Sequence, residues 1–390
     1  MRRRLTSAAA AAASALALTG LAGAAQPAPA PNGSLSIAGQ AKKCKGVMAK
    51  IGGKRVCLAE GKPCKAKYER AYERHGYVCR SGILFEKPAV IPAAQVVATI
   101  PVGAGPASIR YLAESIWVRN NPDGTVSRID PATNTVVATI RVGDGEGDIA
   151  YGDGSIWVTS SEPATVSRID PVTNTVVATI PTGGQGTWGL ASTPGAIWAA
   201  NHRHSTTEKP IVVRIDTATN RVVWTGGVGI ASFDGTGGPF LMTAAFGSVW
   251  SQVSNNSEAD RIDPVDNSIT RIPSYPCDGV PAAVADAVWF SSNCLHALLK
   301  IDPATNTIVA RVPYPANGAL VGPIAVDGSF LWATMAPGLL ARFDAANGKV
   351  VGTWRHPAEG LFGGPASVAY GVGSIWVSDT PRRRVLRLSP

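Results

Sequence analysis

Histidine is scarce in this chain, and two of its five stand one residue apart, His202 and His204, within an Asn-His-Arg-His run. In an extended segment alternate side chains point the same way. The pair could therefore hold a divalent metal such as Mg or Ca, or one ring could act as a general base. Three more groups invite the same question: His296, His356 and Glu359. Trp188, Arg203, Asp234, Asn255 and Trp354 supply the aromatic, charged and amide groups that a ligand face would use. Exposed polar loop residues are the competing reading for every one of them.

The six cysteines form two groups, Cys44, Cys57, Cys64 and Cys79, then Cys277 and Cys294 far downstream. Neither contains a Cys-x-x-Cys pair, so disulfides are expected rather than zinc. Cys44–Cys57 with Cys64–Cys79 is a natural arrangement, although four cysteines allow three pairings. Cys277 and Cys294 could pin two downstream loops together.

Charge divides the chain. Residues 41–88 carry thirteen Lys/Arg against four Asp/Glu, whereas 89–390 carry twenty against twenty-three. The basicity belongs to one short module, and the large domain is nearly neutral, which argues against nucleic acid as its partner. Arg2, Arg3 and Arg4, an Ala/Leu run and Ala22-Gly23-Ala24 match a signal peptide over 1–24. Export by the general or the twin-arginine route fits the cysteines. The apolar run falls short of a comfortable span of about 20 strongly apolar residues. An Ala/Pro-rich linker at 25–40 follows, then a basic four-cysteine module at 41–86 and a second linker at 87–95. Within the module, Cys64 to Cys79 reads as an amphipathic helix with Tyr68, Ala71, Tyr72 and His75 on one face. Its bases suit an anionic cell-envelope polymer.

The elements that must carry these residues come from internal repetition. Val96-Val97-Ala98-Thr99-Ile100 returns at Val136–Ile140 and Val176–Ile180, with degenerate copies further on. An apolar-Trp pair marks seven units at Trp117, Trp157, Trp198, Trp250, Trp289, Trp332 and Trp376. A third marker is the strand-end base Arg128, Arg168, Arg214, Arg261, Lys300, Arg342 or Arg387. Alternating runs such as Thr125–Ile129 and turns such as Asp130-Pro131-Ala132-Thr133-Asn134 give about four short strands per unit. The region opens with an unpartnered VVATI strand and ends on a unit lacking one. Joining them predicts an all-β, seven-bladed β-propeller over 96–390, closed by its N-terminal strand. The tryptophans should pack between blades, and the strand-end bases should be solvated or form inter-blade salt bridges. A closed propeller leaves no free edge that requires a partner, so a monomer is expected.

The spacing between marker tryptophans is longest from Trp198 to Trp250. The extra residues fall in Asn201–Pro210 and Gly227–Phe240, which propeller topology puts on one face. His296, Cys277 and Cys294 map to that face too, with Trp188 and Trp354 near its loops. Insertions gathered on one face are where repeat proteins place binding.

The units, VVATI followed by GSIWV and TVSRIDPATN, resemble the YVTN-type propeller repeat of bacterial surface and secreted proteins. They are similar also to the wider group of YncE-like propellers and streptogramin B (virginiamycin B) lyases. The resemblance covers about residues 95–390. It implies a seven-bladed fold and two functions: an extracellular or envelope-associated scaffold binding a small molecule, peptide or protein, or a carbon–oxygen lyase. The lyase would open a cyclic depsipeptide with a histidine base and magnesium near the channel mouth; a hydrolase acting on a lactone is a variant. His202, His204, His296, His356 and Glu359 are the only groups that invite the comparison, and none aligns with that family's catalytic motif. A non-enzymatic binding propeller is the leading expectation.

Overall fold

The structure is a computed structural model that describes residues 44, 46–59, 61–80, 82–86, 94–184, 186–202, 211–227, 239–253, 258–273, 281–284, 286–292, 295–314, 320–328, 330–335, 338–354 and 367–389. Seven four-stranded antiparallel sheets form a seven-bladed propeller. Six of them use four consecutive strands, as in blade 1: Pro106–Leu112, Ser115–Asn120, Thr125–Asp130 and Thr135–Arg141. Blade 7 takes Val368–Gly371, Ser374–Asp379 and Arg384–Leu388, then borrows Val96–Pro101 as its outer strand. The register runs from Arg384 opposite Pro101 to Leu388 opposite Val96. The complementary ends of the repeat array are therefore a seam, as expected.

Burial explains why each strand has its sequence. The second strand of blades 1, 5 and 7 is buried at every residue, being covered by the flanking blades on both faces. Outer strands alternate between half-buried and exposed positions, as in Thr135–Arg141, which is why they read as Val/Thr repeats. Each marker tryptophan fills the gap to the next blade: Trp376 packs with Ile109, Ile116 and Val118 of blade 1, and Trp117 with Ile149, Ile156 and Val158 of blade 2. Full burial of an aromatic ring of this size is worth about 3 kcal/mol.

The strand-end bases correct one expectation. They are neither free in solvent nor, with one exception, ion-paired. Arg387 donates to Ser374 Oγ (2.9 Å) in its own blade, and to Pro131 O (2.7 Å) and Asn134 Oδ1 (2.9 Å) in the turn of blade 1. Its guanidinium lies 4.9 Å from the centre of the Trp376 ring. Arg128, Arg168 and Arg261 repeat this latch on Asn174, Asn220 and Asn306. The acceptor asparagines sit at φ between +55° and +57°, the left-handed turn position that Asn tolerates better than most residues. The exception is Lys300, which pairs with Asp286 at 3.1 Å.

The N-terminal module has two hairpins, Val47–Ile51 with Lys54–Leu58 and Tyr77–Arg80 with Ile83–Glu86. Of the three possible pairings it shows Cys44–Cys57 and Cys64–Cys79. The helix expected from Cys64 to Cys79 shrinks to a 3-10 turn, Ala66–Tyr68, and five α-helical residues, Glu69–Glu73. Gly76 at φ +77° turns the chain into the strand that carries Cys79. The Glu69 carboxylate accepts from the Cys79 amide at 3.0 Å and ties the two together. Tyr72 joins the core with Tyr68 and Ala71 against it, but His75 is exposed.

Candidate functional site

Loops joining second to third strands share one face with those leading from each outer strand to the next inner strand. Backbone bonds join the two sets: Val142 N to Gly124 O (2.9 Å), Thr182 N to Ala164 O (3.2 Å) and Tyr314 N to His296 O (2.8 Å). Both long insertions open from this face. The first leaves the strand Ala196–His202 and returns at Ile211; the second leaves Arg221–Gly227 and returns at Pro239.

His296 sits in the left-handed turn at φ +45°, the position that Gly124 occupies in blade 1 at φ +61°. Its ring packs edge-on against Tyr314, with centroids 6.2 Å apart. The Tyr314 hydroxyl donates to Ser292 O (2.9 Å), and burial pushes its pKa well above the ordinary tyrosine value. His296 thus closes a turn. Trp354 is buried with Trp332, Val368 and Ile375 between blades 6 and 7. Trp188 is half-buried on the inner strand Gly186–Thr193 of blade 3. His202 ends a strand, and its side chain lies outside the described residues. His204, Arg203, Asp234, Asn255, His356, Glu359, Cys277 and Cys294 lie wholly outside them.

What the described residues bring together near the axis is a hydrogen-bonded knot that runs from blade 7 to blade 3. Arg110, on the inner strand of blade 1, reaches Asp148 at the head of the inner strand of blade 2, 2.8 Å away. Ser108 donates to the same carboxylate oxygen at 2.8 Å. The Asp148 amide donates to Thr159 Oγ1 (2.7 Å), and that hydroxyl donates onward to Trp188 O (2.8 Å) in blade 3. On the other side Ser367 Oγ accepts from Ile109 N (3.3 Å), while Ser378 Oγ donates to Ala107 O (3.1 Å). Asp148 is 2% exposed, and its other oxygen, Oδ2, is sealed in without a partner. A carboxylate held this way is an anchor rather than an acid or base open to a ligand.

Arg119 is the second surprise, a fully buried arginine with no carboxylate in hydrogen-bonding contact. Its two terminal nitrogens donate to four carbonyls, those of Asn120, Thr125, Gly143 and Gly145, at 2.7–3.2 Å. Loss of hydration lowers its pKa to about 10, partly opposed by Asp144. The guanidinium is a strut that fixes two loops of the face at once. Asn201 does similar work, accepting from Thr187 Oγ1 (2.7 Å) and donating to Thr182 O (2.9 Å).

None of Arg110, Asp148 and Arg119 was singled out from sequence. The signal was present: five other blades carry Ala opposite the marker Trp and blade 4 carries Thr243, where blade 1 has Arg110. Among the described residues no group of three or more His, Cys, Asp or Glu is arranged to hold a metal ion. A cleft of about 570 Å³ opens between Pro101–Gly103 and blade 1, where Asp123 and Arg141 line it. Its polar groups serve the fold: Asp123 Oδ2 accepts from Ala104 N (2.5 Å), and Arg141 donates to Asp123 O (2.8 Å). No protein-family model and no curated protein matches the chain, so the reading of the site rests on its geometry.

Proposed function

We propose that this protein is an exported, non-enzymatic binding propeller whose ligand contacts are carried by the two long loops, 203–210 and 228–238. One observation carries the reading. The polar groups beneath the loop-rich face, Arg110, Asp148, Arg119 and Asn201, are held by carbonyls, hydroxyls and each other, which makes a stiff base for the long loops. Loops on a rigid scaffold are where binding residues concentrate. The likeness of the units to the YVTN-type repeat bears on the fold alone, since the shared residues are those that build blades.

The N-terminal module supports attachment to an anionic polymer of the cell envelope. Lys50, Lys54, Arg55, Lys62, Lys65, Lys67, Arg70 and Arg74 are all exposed around a disulfide-bonded core. Export through the segment 1–24 places those disulfides in an oxidising compartment, where they persist.

The test replaces 203–210 with a short Gly/Ser turn in the mature protein and screens both forms on arrays of peptides and oligosaccharides. The variant is expected to keep its thermal midpoint and lose the ligand. A ligand retained by the variant would remove this loop from the site.

A further inference from the structure

Three seams of the ring are built on the same small junction, and one of them is left incomplete. Val142 follows the outer strand of blade 1, and Thr182 follows that of blade 2. Each offers its carbonyl to the next blade. Ser160 and Ser167 of blade 2 donate to Val142 O (3.0 and 3.1 Å), and Asn201 of blade 3 donates to Thr182 O (2.9 Å). Val102 is the matching residue after the outer strand of blade 7, and Asn120 and Ser127 of blade 1 match Ser160 and Ser167. Yet among the described residues nothing donates to Val102 O. Asn120 instead directs its Nδ2 at two hydroxyls of its own blade, Thr125 Oγ1 (3.1 Å) and Ser127 Oγ (2.9 Å).

The other half of that amide is orphaned. Asn120 is fully buried, and its Oδ1 has no partner. The register gives the reason. Thr187 stands opposite Asn201 and donates to its Oδ1 at 2.7 Å, whereas Pro106 stands opposite Asn120 and has neither a hydroxyl nor an N–H. It is at this seam that the cleft of about 570 Å³ opens, with Val102, Thr125 and Ser127 in its wall. The Asn120 amide lies directly behind them: a Cβ on Gly103, also in the wall, would come within 2.7 Å of its Nδ2.

A hydroxyl carries one hydrogen and two lone pairs. Asn120 occupies a lone pair on Thr125 and another on Ser127, so each O–H must find its acceptor elsewhere. Among the described residues no atom accepts from either. The two residues alternate with Val126 along one strand, so their hydroxyls face the same way. Pro101, Pro122 and Val136 supply apolar walls. Neither charge at the edge is open, since Arg141 is paired with Asp144 and Asp123 accepts from Ala104 N. Two aligned O–H donors and a free carbonyl between apolar walls match a neutral sugar ring. Its hydroxyls both accept and donate, and its C–H faces pack on proline. The volume suits about one or two such rings.

We propose that this cleft is a glycan-binding site. Thr125 and Ser127 donate to sugar oxygens, Val102 O accepts from a sugar hydroxyl, and Asn120 is the positioning residue that aims both donors. None of these residues belongs to the long loops, so the site is separate from the one assigned to them.

The experiment titrates the full mature protein with maltose, cellobiose and diacetylchitobiose by saturation-transfer NMR, using glycerol as a control for hydroxyls without a ring. Saturable binding of at least one disaccharide, and none of glycerol, is expected. Thr125→Val should weaken it about 5- to 10-fold, as for the loss of one hydrogen bond. Thr125→Ser, which keeps the hydroxyl, should change it less than about 2-fold. Thr139 is exposed on the rim opposite Ser127, and Thr139→Trp should abolish binding by filling the cleft. That variant leaves the buried bonds alone, so a poorly folded Thr125→Val would not stall the test. Replacing 203–210 with the Gly/Ser turn should leave binding unchanged. No saturable binding of any of the three disaccharides up to about 20 mM, or equal binding of glycerol, would overturn the proposal. Wild-type binding by Thr139→Trp, or binding lost with the loop 203–210, would do the same.

Discussion

The seam between blades 7 and 1 and the seam between blades 5 and 6 use the same positions and hold by different means. At the first, Arg387 is braced by Ser374 and clamps Pro131 O and Asn134 Oδ1 across the gap. At the second, Lys300 replaces the arginine, Ala287 replaces the serine, and Gly348 at φ +71° takes the place of the turn asparagine. All three parts of the latch are missing together, and Lys300 turns to Asp286 in its own blade. Backbone continuity does not account for the difference, since the chain crosses both junctions, from the outer strand Val96–Pro101 of blade 7 to Pro106 of blade 1 and from Thr307–Pro313 of blade 5 to Leu320 of blade 6. The break in the chain lies inside blade 7, between Arg384–Leu388 and Val96–Pro101. The seam between blades 3 and 4 lies between these cases: Arg214 reaches Asn267 (3.1 Å), but Ala196 stands where the serine should be. Arg214 Nε is accordingly buried without a partner. Arg342 in blade 6 shows the same defect, with Phe330 in the serine position and Nε unpartnered.

The largest effect should come from removing a complete latch. Arg387→Ala loses three hydrogen bonds from a charged donor and a ring contact, and it should cost about 2–3 kcal/mol in urea unfolding. Arg214→Ala should cost only about 1 kcal/mol, since its brace is already absent. Equal losses at the two sites would mean that the latch does not distinguish the seams.

The middle effect sharpens the comparison by repair. Ala196→Ser restores the hydroxyl that braces Arg128, Arg168, Arg261 and Arg387 in their blades. It should add about 1 kcal/mol by satisfying a buried Nε–H. The gain should vanish in the background Arg214→Ala, a double-mutant cycle that isolates the pair.

The smallest effect concerns the turns that receive the latch. Backbone N–H groups of Ala132 and Val172 bond the Asp130 and Asp170 carboxylates, and the Thr219 hydroxyl and amide bond that of Asp216; each pKa lies below its ordinary value. A depressed folded pKa contributes stability that is complete above the unfolded value, about 3.9, and is lost as pH falls through the folded one. The thermal midpoint should hold steady from pH 7 to about 5 and decline below about 4. Asp170→Asn should flatten that decline slightly. An unchanged acid slope in the variant would show that the turn carboxylates do not contribute.

Sequence by itself determined the blade count, the closure and the role of the tryptophans. Each rests on a local pattern repeated seven times, and repetition averages out the ambiguity of any one strand. Val96–Ile100 could be matched to the last blade because its partner strands were missing from one end and present at the other. Sequence left the pairing Cys64–Cys79 as one of three arrangements, and it did not give the length of the helix between them. The Glu69 carboxylate contact to the Cys79 amide and the left-handed Gly76 divert the chain after five residues, and neither leaves a periodic trace.

Tertiary structure alone decided which polar groups are free to act. His296, a candidate base from sequence, packs edge-on against Tyr314 with its Nδ1 buried and unpartnered, and Trp354, a candidate ligand contact, is buried between blades 6 and 7. Conversely, Arg110 and Asp148 lie thirty-eight residues apart and meet only because neighbouring inner strands converge on one axis. Chemistry needs groups within a few ångströms of one another, and in a ring of blades that proximity is set by closure, a property that no single repeat carries.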